Sequence, residues 1–155
     1  MLKRVISATL ALMLLVSLAG MVAYGKNIEE GSSDLVMPYN TRASYEYLDA
    51  VNDNAYADGL NVTVDSLTDA TQTVDKIGMS VFVLQRWGGS TWSDYKTIAG
   101  RYSNNASSKT VELTTAVAVT KAGTNFRWKV THYVKEGTKE EEFVNYSNEV
   151  YVPVR

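Results

Sequence analysis

The chain reads as an all-β protein: a roughly seven-stranded antiparallel sandwich of the immunoglobulin or fibronectin-like kind, behind an N-terminal signal peptide that is cleaved. Three observations predict this. Apolar residues recur with period two through most of the chain, the mark of strands with one buried and one wet face. The breaks between those stretches carry glycine turn chemistry. Beyond the first 25 residues no window sustains a 3.6-residue apolar stripe, and the remainder has the length of one such domain. A small barrel is the competing architecture.

The elements follow in order. Lys3 and Arg4 open the chain, an uncharged apolar run extends from Val5 to Val22, and Ala23-Tyr24-Gly25 offers small residues at a cleavage site. That order of charge, apolar core and small-residue exit predicts a secretory signal peptide over 1–25. Residues 26–42 are polar and aperiodic and read as a flexible arm. The β-domain is assigned to 43–155. Within it, 43–48 is a weaker strand candidate, and Asn52 through Gly59 reads as a loop. Leu60, Val62 and Val64 begin the next strand. In 76–86, Ile77, Met79, Val81 and Val83 fill one face while Phe82 and Leu84 occupy the other. Gly88-Gly89-Ser90 reads as a hairpin leading to a weaker strand at 91–99. Val111, Leu113, Thr115, Val117 and Val119 alternate cleanly, as do Phe126, Trp128, Val130, His132 and Val134. Lys135 to Lys139 is a second hairpin, and Val144, Tyr146, Val150, Val152 and Val154 close the chain in one parity.

Composition narrows the function. Cleavage after Gly25 removes Lys3 and Arg4 and no acid, leaving 130 residues with 13 basic against 17 acidic side chains, a formal charge of −4. No basic block remains to neutralise phosphates, which argues against nucleic acid and against an anionic membrane surface. The chain has no cysteine, so thiol chemistry and disulfides are absent and the domain rests on its core. The expected location is secreted, outside the cell, with no stable membrane insertion after cleavage.

Catalytic groups are sparse. The single histidine, His132, lies on the apolar face of a strand and reads as buried and hydrogen-bonded. Ser93-Asp94-Tyr95-Lys96 fits the Ser-x-x-Lys spacing, which needs a helix to bring both groups to one face; here it falls in a strand. Glu140, Glu141 and Glu142 form a consecutive run expected to fan out into water. Asp49, Asp53 and Asp58, with Asn52 and Asn54, supply hard oxygen ligands in the expected loop and stand as a calcium candidate. Side-chain turns by Asn and Asp explain the same residues. No cofactor is expected.

The most suggestive constellation is Arg86-Trp87-Gly88-Gly89-Ser90-Thr91-Trp92-Ser93-Asp94-Tyr95. Arg86, Trp87, Trp92 and Tyr95 around a glycine hairpin are candidates for an exposed aromatic platform for sugar rings or a protein partner. The competing reading folds Trp92 back to plug the end of the sandwich, with Trp87 beside it.

Leu84-Gln85-Arg86-Trp87 with the glycine turn and Trp92, followed by Phe126-Arg127-Trp128-Lys129-Val130-Thr131-His132, resembles a family of short secreted proteins of Gram-positive bacteria that share a domain of unknown function. The resemblance covers roughly residues 40–153. It implies secretion and a small β-sandwich, and carries over no functional residue. The expectation is therefore a secreted, non-enzymatic β-sandwich that binds a surface glycan or protein partner. The alternative is a structural subunit of an extracellular assembly built by edge-strand addition.

Overall fold

The computed structural model describes residues 45–104 and 108–154. The signal peptide expected at 1–25 and the arm expected at 26–42 lie outside them. The described residues form eight strands in two antiparallel sheets and no helix: β1 (Leu48–Asp58), β2 (Asn61–Val74), β3 (Lys76–Trp87), β4 (Trp92–Ser103), β5 (Ser108–Ala118), β6 (Thr124–Glu136), β7 (Lys139–Tyr146) and β8 (Val150–Val152). The first sheet has the order β1-β2-β5. The second has the order β4-β3-β6-β7, with β8 also paired to β6. The result is a sandwich-like all-β fold.

Three departures from the sequence reading have local causes. The loop expected at 52–59 is instead most of β1. Asn52, Asn54 and Asp58 alternate with Val51, Asp53, Ala55 and Ala57, so the polar side chains at Asn52 and Asn54 lie on the outer face. The turn is confined to Gly59-Leu60, closed by the Asp58–Asn61 pair, with Gly59 at a φ of 60°. A two-residue hairpin of this kind needs positive φ at its first position, which glycine supplies without strain.

The second departure is in β3. A bulge between Met79 and Val81 shifts its register against β6. An extra residue reverses the side-chain alternation beyond it, so Ile77, Met79, Phe82 and Leu84 all face the core, whereas Val81 and Val83 turn outward. Close backbone approach beside the bulge explains Gly100, where an added Cβ would collide with the Met79 carbonyl.

The third concerns the C-terminal segment, which is two strands rather than one. Ser147 bridges them: its N–H donates to the Trp128 carbonyl at 2.9 Å, and its hydroxyl accepts from the Trp128 N–H at 2.9 Å.

The core has two apolar clusters. The larger holds Val62, Val64, Phe82, Phe126, Trp128 and Val130, and the smaller holds Leu48, Val74, Ile77 and Val134. Along β6, His132 sits between them, completely buried. Its Nε2 lies 2.9 Å from Asp53 Oδ2, and its Nδ1 lies 2.8 Å from Thr68 Oγ1, whose hydroxyl donates to the Gly78 carbonyl at 3.1 Å. Asn145 Nδ2 also donates to Asp53 Oδ2, at 3.0 Å. Buried polar side chains cost stability unless hydrogen-bonded; these bonds join β1 and β2 of one sheet to β6 and β7 of the other.

Candidate functional site

The alternation that buries Phe126 and Trp128 sends Arg127 to the outer face of the second sheet. In register beside it stands Gln85 of β3, and beside Gln85 stands Asp94 of β4. The three side chains form a polar line across the sheet. Arg127 Nε donates to Gln85 Oε1 at 3.0 Å, and Gln85 Nε2 donates to Asp94 Oδ1 at 2.8 Å.

Aromatic rings flank this line. The Arg127 guanidinium lies 4.4 Å from the ring centroid of Trp92 and 4.4 Å from that of Tyr146. A planar guanidinium stacks well on aromatic faces. Trp92 is paired in register with Trp87 across the Gly88-Gly89 hairpin, with ring centroids 5.3 Å apart and planes tilted by 54°. Gly89, at a φ of 96°, makes the turn possible. Both tryptophans are half-buried, Tyr146 is 47% exposed, and Tyr151, opposite Asn125 on the same face, is 58% exposed. The far end of this face repeats the chemistry. Lys76 Nζ lies 3.8 Å from the Tyr102 ring and 5.2 Å from the Tyr133 ring, and the two rings meet edge to face at 5.2 Å.

The four residues expected at the hairpin are thus divided. Trp87 and Trp92 are together on the outer sheet face, not folded back into the sandwich. Arg86 has the opposite parity: it pairs with Phe126 and lines an open bowl of about 380 Å³ at the end of the domain, with Lys121 on the other wall. Tyr95 lies on the inner side, as the extra residue of a bulge opposite Leu84 and Gln85. Its ring meets Phe126 edge to face at 5.6 Å, and its hydroxyl accepts from the Thr120 N–H at 2.9 Å. The Thr120 hydroxyl and N–H favour the phenolate and hold the Tyr95 hydroxyl below its ordinary range. Tyr95 therefore ties β4 to the segment after β5. Arg127, Gln85, Tyr146 and Tyr151 were missed by the sequence reading. Alternation alone places Arg127 outward, but the partners reach it across strands distant in the chain.

The aspartates proposed for calcium are spread along a strand rather than gathered in a loop. Asp49 and Asp58 are near opposite ends of β1, and Asp53 points into the core toward His132. Among the described residues, no group of three or more histidine, aspartate or glutamate side chains is arranged to hold a metal ion.

The glutamate run does not fan out as expected. Glu140 and Glu142 face outward, opposite Lys135 and Tyr133, but Glu141 is 6% exposed and turned in. Its carboxylate accepts from the N–H groups of Glu46 at 2.8 Å and of Tyr47 and Leu48 at 2.9 Å each. Burial by itself would raise its carboxyl, but these three bonds and Lys139 outweigh it and hold the group below its ordinary value. Period-two alternation would have divided the run correctly had the strand been extended back through it.

No family model matches the chain, and no curated protein does. Among solved structures, the chain is similar to a protein from Archaeoglobus fulgidus, over 66% of this chain and 93% of that one, at 13% identity and a TM-score of 0.37.

Proposed function

We propose that this is a secreted, non-catalytic binding module that docks a surface glycan on the outer face of its β4-β3-β6-β7 sheet. The observation that carries the reading is the Arg127 guanidinium held between Trp92 and Tyr146 and braced by Gln85 and Asp94. Such a cluster combines what a sugar ring requires. Aromatic surface meets its C–H faces, and charged or amide groups already fixed in place meet its hydroxyls. Pre-ordering lowers the entropy lost on binding. A sheet face is also rigid, so its rings keep a constant spacing. Residues 1–25 would direct export and then be removed. The strand order β1-β2-β5 against β4-β3-β6-β7 supports the immunoglobulin or fibronectin-like type, in which the chain passes between two sheets in this Greek-key manner.

Tryptophan fluorescence tests the site, because Trp87 and Trp92 report directly on a bound ring. Titration with wall-derived oligosaccharides should shift the emission of the native protein. Trp92→Ala should weaken binding at least tenfold, the equivalent of about 1.4 kcal/mol, in a protein that remains cooperatively folded at the assay temperature. Binding unaffected by both Trp92→Ala and Arg127→Ala would remove this face as the site.

A further inference from the structure

We infer that β5 is a docking edge for a second copy of this chain, and that the two β5 strands pair antiparallel about a two-fold axis at Thr114. The four flanking edges of the sandwich differ in how they are protected. The outer side of β1 is met by side chains: Asn148 accepts from the Ala55 N–H at 2.7 Å and donates to the Ala55 carbonyl at 2.9 Å. β7 carries Lys139-Glu140-Glu141-Glu142, and β4 carries Lys96, Arg101 and a bulge. Charge and bulges are the usual protections of an edge. On β5 both lie toward its start, with Lys109, Glu112 and a register shift before Thr110; from Leu113 to Ala118 it is an uncharged, regularly paired run of leucine, threonine, alanine and valine. Among the described residues it pairs only with β2.

The backbone is oriented for pairing. The Asn148 bonds show that the Ala55 peptide groups point away from β2. In register, Ala55 lies opposite Val64 and Val64 opposite Thr115. Alternation of the hydrogen-bonding direction then turns Thr115 toward β2. The peptide groups of Glu112, Thr114 and Ala116 face the free edge. The Val119 N–H, bonded to Leu60 across the β2 side at 2.8 Å, agrees with that parity.

The strand is also self-complementary. With Thr114 opposite its own counterpart, Glu112 meets Ala116 of the second copy, and Val111 meets Val117. No like charges face each other. Every outward-facing peptide from Thr110 to Ala118 acquires a partner. The sheet β5 belongs to has three strands, whereas the facing one has four positions. Beside β5 and under β4 this leaves a groove of about 260 Å³ lined by Phe82, Ile98, Ala99 and Arg101 on one side and by β5 from Leu113 to Ala116 on the other. The second copy's β5 would lie at the mouth of that groove.

The chain contains no cysteine, so Thr114→Cys gives a single thiol for mild oxidation. Directly opposed residues of a hydrogen-bonded antiparallel pair lie about 5.5 Å apart at Cα, within disulfide range. The variant should form a covalent dimer, and Glu112→Cys, displaced about 13 Å from its counterpart in this register, should not. Sedimentation of the purified native protein should show a monomer–dimer equilibrium. Thr114→Pro removes the edge N–H and should weaken it by about tenfold or more. Thr114→Lys gives up the exposed hydrogen bond from Thr114 to Asp65 at 2.6 Å, crowds two ammonium groups at the axis, and should weaken the pairing likewise while the protein stays folded. A native protein that stays monomeric up to millimolar concentration overturns the proposal. So does a dimer that both Thr114→Pro and Thr114→Lys leave intact, or a thiol at 114 that crosslinks no better than one at 112.

Discussion

The two flanks of the sandwich meet the same physical problem and solve it differently. Where β1 faces β7 and β8, the unpaired edge is closed by side chains. Glu141 takes three consecutive N–H groups, Asn148 imitates a neighbouring strand at Ala55, and Asn145 and His132 hold Asp53 inside. Where β4 faces β5, the ties lie toward the two ends, Tyr95 to Thr120 and Ser103 to Ser108, and a groove separates the strands between them. The closed flank concentrates buried polar groups whose loss leaves partners unsatisfied. The open flank presents backbone that water already satisfies. Sensitivity to mutation should therefore be lopsided, with stability residing on one flank and association on the other.

His132→Ala should produce the largest loss. It strands the Asp53 carboxylate in the core with only Asn145 as donor, and breaking one partner of a buried pair costs about 3–5 kcal/mol. Chemical denaturation measures this directly; a loss below about 1 kcal/mol would mean that the inter-sheet polar contact contributes little.

Glu141→Gln should follow, at about 1–3 kcal/mol, because an amide cannot accept from three N–H groups as a carboxylate does. Its effect should depend on pH. The native carboxyl of Glu141 is held below its ordinary value of 4.5. The ionised form is thus the one that stabilises the fold: the advantage of the native protein over the variant is complete above that value. It is lost as pH falls through the lower native value. Glu46 and Glu140 are also lowered, through Lys139 and Lys135 respectively, but they are exposed and their pairs are screened by water. Unfolding midpoints of the two proteins should converge in acid. Parallel curves down to pH about 3 would separate Glu141 from acid stability.

Thr114→Lys should have the smallest effect on the fold, within about 0.5 kcal/mol, although it sits on a strand as regular as β1. Measured at concentrations too low for association, a large loss there would show that the β5 edge is packed and would erase the contrast between the flanks.

Much of this architecture was legible in the residues. The alternations at 111–119 and 126–134 fall within or along β5 and β6, and the turns at Gly88-Gly89 and Gly137 stand where glycine placed them. The misreadings came where composition was taken for conformation. Asn52 to Asp58 have turn-forming side chains, yet the segment is a strand because Val51, Asp53, Ala55 and Ala57 face a core and partner strands are available. Tertiary pairing overrides such weak local preference. The bulge at Met79 to Val81 was invisible, since no residue type announces an added residue in a ladder. The Trp87–Trp92 pair was visible because a hairpin makes it local. Its completion by Arg127 and Tyr146 was not.

By itself, the sequence determined the period of its strands, the sites of its turns, the absence of thiol chemistry and which faces could be apolar. These are properties of residues and their near neighbours. Tertiary structure decided the rest: that Asp53 would meet His132 across 79 positions, that Glu141 would reach the backbone at 46–48, that Arg127 would lie between two rings, and that β5 would remain at an edge. The reason is the geometry of antiparallel sheets. Alternation sets which face a side chain takes, but its neighbours on that face come from other strands, and only the order of strands brings them together.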